Sequence, residues 1–264
     1  MNEMNKKILT LLIFILSISS SGLMLSKSIT KKAKYKIIRG YFVNSNYVLV
    51  KIENKDLKFT ISEPIYDKKL NNYYFKGQTT SHFLISNNVD IAINTSPYEV
   101  KQNIFFPKGL YIYNKKMISK QIPNYGEITI KQNKIVLNPV EDEIKTSDYG
   151  FSGFFVLIKN GNYKKNFKET KHPRTIIGTD KNNKYLFLAT IEGRGVNNSK
   201  GASLNETIDF ALSYGMTNAI NLDGGGSSTL VVKSNNAPHK LNFTANIFGK
   251  ERSVPFHLGI KLPN

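Results

Sequence analysis

Asn221-Leu222-Asp223-Gly224-Gly225-Gly226-Ser227-Ser228 is the stretch whose side chains and backbone could do chemistry together. Thr217-Asn218-Ala219-Ile220 leads into it and Thr229-Leu230-Val231-Val232 leads out, a pattern that reads as strand, tight loop, strand. Three successive glycines give up conformational entropy, so the loop needs positive φ angles or close approach of its backbone to another group. Bare N–H groups beside Ser227 and Ser228 would suit an oxyanion such as a phosphate. Asn221 and Asp223, two apart on a strand, point to one face. A carboxylate, an amide and an anion cradle then share one edge. The plainer alternative is a Gly-rich hairpin in which Asp223 and the serines make turn hydrogen bonds.

The elements that must position this loop are mostly strands. Tyr47 to Ile52, Leu57 to Ile61 and Val89 to Asn94 are short β-prone runs, the last delivering Asn94 at its end. Gly109 to Tyr113 with Asn114-Lys115-Lys116, and Ile128 to Ile130 with Gln132-Asn133, read as hairpins, and Ser152 to Ile158 is apolar enough for a central strand. His172 to Thr179 and Tyr185 to Ile191 flank Asp180 to Lys184, which makes Asp180 a turn residue. Thr79-Thr80-Ser81 would cap a short helix through Ser86, whereas Glu141-Asp142-Glu143 reads as a solvated loop.

One clear helix precedes the loop. Ser203-Leu204-Asn205-Glu206 has capping-box spacing, Leu204, Ile208, Ala211 and Leu212 form an apolar stripe, and Gly215 suits the C-terminal cap. Many strands, few helices and no βαβ alternation predict an α+β domain with a mixed or antiparallel sheet core.

The chain has 264 residues, 40% of them hydrophobic, no cysteine and a formal charge of +18. That length supports one sizeable core without covalent staples. Absence of cysteine excludes disulfides, thiolate nucleophiles and Cys-ligated zinc. Asn5-Lys6-Lys7, the apolar run Ile8 to Ile18 and the small residues Ser19 to Gly22 have the layout of an export signal. Residues 1–27 are therefore expected to be a signal peptide or membrane anchor, and 28–264 the functional domain, placed in the periplasm, outside the cell or tethered to the membrane. The basic excess is scattered as single and paired lysines, with no aromatic-interleaved basic helix, so it predicts attraction to anionic cell-wall or membrane surfaces and no specific nucleic-acid binding.

Asn221 to Ser228, the preceding helix, Arg174-Thr175-Ile176-Ile177-Gly178, Glu192-Gly193-Arg194 and Glu251-Arg252-Ser253-Val254 together resemble the phosphodiester glycosidase family. Ile91 to Asn94 and Pro107-Lys108-Gly109-Leu110 are similar to its upstream segments, so the likeness runs from about Thr79 to Ile260. The family commonly shows Asp-Gly-Arg where this chain has Glu192-Gly193-Arg194. The added methylene would move that carboxylate by about an ångström, enough to disturb a near-attack geometry.

The resemblance implies an exported hydrolase that cleaves a sugar-1-phosphodiester, such as an N-acetylglucosamine-1-phosphate diester, in a phosphorylated glycan of a surface polysaccharide or glycolipid. Phosphate is a good leaving group and needs charge stabilisation more than a proton. Arg174, Arg194 and Arg252 would supply it as bidentate clamps. With no cysteine present, the base or nucleophile would be a carboxylate, Asp223 first and Glu192 second. Asn94, Asn221, Gly224, Gly225, Gly226, Ser227 and Ser228 complete the expected substrate contacts. His172, beside Arg174, stays outside this set. No His/Asp cluster has metal-ligand spacing and no cofactor is expected, while a calcium site built from carbonyls and single carboxylates leaves no sequence signature and stays open. A non-catalytic module that holds phosphorylated glycans is the alternative reading.

Overall fold

The computed structural model of the chain describes residues 34–102 and 104–263. The expected export segment lies outside the described residues. Among them no helix is long and apolar enough to cross a membrane. Among the described residues, three large antiparallel sheets, two two-stranded ones and three short α-helices confirm the α+β class.

The largest sheet runs in the order Tyr35–Phe42, Ser45–Glu53, Tyr185–Ile191, Arg174–Thr179, Asn218–Asn221, Phe155–Ile158. A second runs Ala237–Lys240, Leu230–Ser234, Ile91–Asn94, His257–Lys261, Lys58–Ile61, and a third Lys116–Ser119, Tyr111–Tyr113, Tyr149–Ser152, Glu127–Lys131, Lys134–Leu137. Strand alternation explains how they share one core. Val48, Val50, Ile52, Leu186, Leu188, Ile177 and Ile220 of the first sheet meet Ile91, Ile93, Leu230 and Leu258 of the second and Ile128, Ile130 and Phe151 of the third. The intervening residues Leu49, Phe187, Ala189, Ile176 and Ala219 face the other way, onto Ile208, Phe210 and Ala211 of the helix Leu204–Ser213. Apolar side chains on both faces are what a sheet covered on both sides requires.

That helix forms as its sequence dictates. The Ser203 hydroxyl accepts from the Glu206 N–H at 3.2 Å while the Glu206 carboxylate accepts from the Ser203 N–H at 2.8 Å. Gly215, at φ 76°, ends it. The helix Thr80–Ser86 is capped by Thr79 and places Phe83 and Leu84 on the back of the second sheet, against Val89, Ala92 and Val231. Glu141 to Glu143 are corrected from loop to helix: they start Glu141–Lys145, whose Ile144 packs on Leu110 and Ile112 of the third sheet. Five residues are too few to display a 3.6-residue period.

The Asn114-Lys115 and Gln132-Asn133 turns are hairpins with both residues at positive φ, as type I′ geometry demands. Ser152 to Ile158, by contrast, is not one central strand. Tyr149–Ser152 belongs to the third sheet and Phe155–Ile158 forms an edge of the first. The chain changes sheet at Gly153, whose N–H donates to the Gly126 carbonyl at 2.7 Å. A Cβ there would lie 2.5 Å from Ile220 Cγ2 and 2.7 Å from the Asn221 carbonyl oxygen. Gly153→Ala is expected to cost about 1–3 kcal/mol of unfolding free energy through this overpacking, read as a lower urea midpoint.

Candidate active site

The Asp223 to Ser228 loop is not a hairpin. Asn218–Asn221 belongs to the first sheet and Leu230–Ser234 to the second, so the loop crosses the seam between them. Backbone bonds hold its start from both sides: the Leu222 N–H donates to the Thr175 carbonyl at 2.8 Å and the Asp223 N–H to the Thr95 carbonyl at 2.7 Å. The Asn94 amide then closes the loop. Its Nδ2 donates to the Asp223 carbonyl at 2.7 Å, and its Oδ1 accepts from the Thr229 N–H at 2.9 Å and the Thr175 hydroxyl at 3.3 Å. Asn94 is thus buried behind the loop with both ends of its side chain occupied.

Each glycine faces a different neighbour. A Cβ on Gly224 would sit 2.6 Å from the Pro173 carbonyl oxygen, one on Gly225 2.9 Å from Arg194 Nη2, and one on Gly226 2.5 Å from Arg252 Nη2. Two of the three are guanidinium groups, so the loop is bare where positive charge approaches it. Gly225 also takes φ 61° at the start of a short 3-10 turn, Gly225–Ser227.

That turn uses up N–H groups expected to be free. Gly225 N–H donates to the Pro173 carbonyl, Ser227 N–H to Gly224 and Ser228 N–H to Gly225. The guanidiniums of Arg194 and Arg252 lie against Gly225 and Gly226. Ser227 and Ser228 are buried: the Ser227 hydroxyl bonds the Asp223 carboxylate, and the Ser228 hydroxyl accepts from Thr175 at 3.1 Å.

A cleft of about 370 Å³ opens over the loop, lined by Phe154, Phe155, His172, Pro173, Arg174, Arg194, Asn221, Asp223, Gly224, Gly225, Gly226 and Arg252. Asp223 is its only carboxylate. Burial pushes that group up to about 6, against the opposing pull of the Ser227 hydroxyl, Arg252, the Gly224 N–H and Arg194. It is ionised at neutral pH yet close enough to its midpoint to exchange protons.

Arg174 is buried at the start of its strand, with Nε donating to the Ala202 carbonyl at 2.7 Å and Nη2 to the Thr170 carbonyl at 3.0 Å. Burial lowers it to about 10, which leaves it cationic at neutral pH. Arg194 and Arg252 are exposed at the rim, Arg194 with φ 59°. His172 is held below its ordinary value by burial and by Arg174 and Arg194, so it presents a neutral imidazole. Asn221 spends its Nδ2 on the Leu222 carbonyl at 2.9 Å and keeps a buried Oδ1 without a protein partner.

Glu192 does not line the cleft. Its two carboxylate oxygens accept from the Phe243 N–H at 2.8 Å and from Asn197 Nδ2 at 3.2 Å. The carboxylate thereby ties the strand Tyr185–Ile191 to the loop that carries Arg252. Phe154, Phe155 and His172 are lining residues that the predicted site set leaves out. Phe154 precedes the strand Phe155–Ile158, and its ring stacks on Phe155 with centroids 6.1 Å apart, so both aromatics reach the same cleft.

Among the described residues, no cluster of His, Cys, Asp and Glu could hold a metal ion.

A family model described as phosphodiester glycosidase matches residues 87–261. Among solved structures, the catalytic domain of the zebrafish N-acetylglucosamine-1-phosphodiester alpha-N-acetylglucosaminidase, auto-inhibited by pro-peptide, is 16% identical, with a TM-score of 0.65 over 89% of this chain and 85% of that one. A protein from Synechocystis, 13% identical, gives a TM-score of 0.65 over 86% of this chain and 61% of that one. At these identities the likeness is one of fold. No curated protein matches the chain by sequence.

The charge on Asp223 carries a stability consequence. Its folded value of about 6 lies above the ordinary 3.8. Between those values the folded chain binds a proton more tightly than the unfolded one, so this contribution is full below about pH 4 and is lost as pH rises through 6. Asp223→Asn is expected to raise the unfolding free energy by about 1–3 kcal/mol at neutral pH and to leave it unchanged below pH 4, measured by urea denaturation at both.

Proposed function

Because the chain belongs to the phosphodiester glycosidase family, we propose that it hydrolyses a sugar-1-phosphodiester, with Asp223 as the working carboxylate and Arg174, Arg194 and Arg252 holding the phosphate. The observation that carries this reading is one ionisable carboxylate and three guanidiniums sharing a single cleft. A diester phosphate carries one negative charge, and the guanidiniums offer it donors in planar forks. Departure of the phosphate from the anomeric carbon takes the bonding pair onto a phosphate oxygen. The developing second charge is met by cations already in place, which reduces the need for a proton donor.

Asp223 serves the other half of the reaction. As base it takes the proton of the attacking water; as nucleophile it bonds the anomeric carbon directly. Either role requires its ionised form. Its elevated value brings it near the working pH, where a base is strong enough to take a proton and still mostly ionised. The unpartnered Asn221 Oδ1 offers an acceptor to a sugar hydroxyl or acetamido N–H. Gly224 to Gly226 admit the substrate and the arginines by presenting no side chains. Asn94, Ser227, Ser228 and Glu192 act through the groups they position. A surface or lipid-linked phosphorylated glycan, met after export, is the substrate class that suits this site and the basic chain.

One observation favours a second reading, binding without turnover: Glu192 is occupied elsewhere, so the cleft lacks the carboxylate pair of most glycosidases. Sugar release from an N-acetylglucosamine-1-phosphate alkyl diester separates the two. Wild type is expected to release sugar with kcat/KM falling below about pH 6, the acid limb set by Asp223. Asp223→Asn should lose about 10²–10⁴-fold, and Arg174→Lys, which keeps charge without the fork, about 10–100-fold. Diester affinity that survives in Asp223→Asn, with no release by wild type at any pH, would establish the binding reading.

A further inference from the structure

Next to the cleft the chain makes a loop that hides almost none of its large apolar side chains. Phe248 is 92% exposed, Ile247 80% and Phe243 57%. Two consecutive side chains so exposed must stand on a protruding tip. Phe248 also takes φ 55°, an unfavourable angle for a bulky aromatic residue that persists only where the surroundings impose it.

The surroundings here do impose it. Asn246 Nδ2 donates to the Gly226 carbonyl at 2.7 Å and to the Lys250 carbonyl at 3.0 Å. The Thr244 hydroxyl donates to the Lys250 carbonyl at 2.7 Å, the Gly249 N–H to the Asn246 carbonyl at 2.9 Å, and the Phe243 N–H to Glu192. The base of the tip is therefore a polar network bonded to the catalytic loop, while its apex is apolar and free of protein contacts that would bury it.

Charge identifies what the apex meets. The Lys240 ammonium bonds the Gly249 carbonyl, and Lys250 and Arg252 are exposed in the same segment. The nearby acids face other elements: Glu251 accepts from the Ser81 N–H at 2.9 Å and from its hydroxyl, and Glu192 is bonded as described. The apex is an exposed apolar tip with Lys240, Lys250 and Arg252 in the flanking residues. It fits a fluid surface whose headgroups are anionic and whose interior is apolar.

We propose that residues 243–250 are an interfacial anchor that inserts Ile247 and Phe248 into an anionic lipid leaflet and holds the cleft at the headgroup layer. Resting on the reading of the preceding subsection, this assigns the aglycone of the sugar phosphate to a membrane lipid.

The chain contains no tryptophan, so Phe248→Trp in the full-length protein is a single reporter at the apex. With phosphatidylglycerol vesicles its emission is expected to shift to the blue and its quenching by acrylamide to fall several-fold. Phosphatidylcholine vesicles should produce neither effect, and Tyr66→Trp, an exposed position on the hairpin Ile65–Asp67 and Asn72–Tyr74, should respond to neither lipid. The double variant Ile247→Ser with Phe248→Ser should keep hydrolysis of a soluble diester and lose it on the same headgroup embedded in vesicles.

A Phe248→Trp probe that stays water-exposed on sedimented vesicles would overturn the anchor, since contact then arises elsewhere in the chain. An equal response to phosphatidylcholine would overturn the anionic requirement. A blue shift that grows with protein concentration in the absence of lipid would reassign the tip to a second copy and overturn the proposal as well. Because fluorescence reads insertion and not turnover, failure of the anchor and failure of the hydrolase reading are separately visible.

Discussion

Everything at the site hangs on one buried amide. Asn94 ends a strand of the second sheet, yet its side chain grips the Asp223 carbonyl, the Thr229 N–H and the Thr175 hydroxyl. Those three groups are the entrance of the loop, its exit and the neighbouring strand of the first sheet. A primary amide offers donor and acceptor on one rigid plane, so a single residue satisfies groups that would otherwise be left unpaired at a sheet junction. Neither an Asp, which lacks the donor, nor a Leu, which lacks both, could do so.

The electrostatics follow from that placement. Fixing Asp223 at the seam removes water from its carboxylate and raises its affinity for protons, while three guanidiniums converge on the same cleft. Glycines at 224 to 226 make the convergence possible, since two of them face Arg194 and Arg252 where a side chain would stand. Of the loop's own N–H groups, those of Gly225, Ser227 and Ser228 are already bonded to backbone carbonyls.

Much of this was legible in the sequence. Turn residues able to take positive φ located the hairpins, capping residues located two helices, and the family resemblance singled out Asp223 and the three arginines, all of which line one cleft. Periodicity, however, records which face a residue points to and not which strand it pairs with, so the loop read equally as a hairpin until its flanking strands proved to lie in different sheets. Glu192 is the sharper lesson. It stands two residues from Arg194, but Gly193 and the left-handed Arg194 turn the chain between them, and the acid is drawn back to Phe243 and Asn197 while the arginine reaches the cleft. Proximity in sequence does not survive a reversal of backbone direction.

The crossing of the loop between sheets has a kinetic side. Asn94, Arg174, Asp223 and Arg252 come from four separated parts of the chain, and the Asn94 bonds to Asp223 and Thr175 join residues far apart in sequence. Contacts of that kind carry the entropy cost of closing long loops, which slows folding relative to a fold built from local contacts. The lining of the cleft, from Phe154 to Arg252, is therefore assembled by contacts between distant parts of the chain.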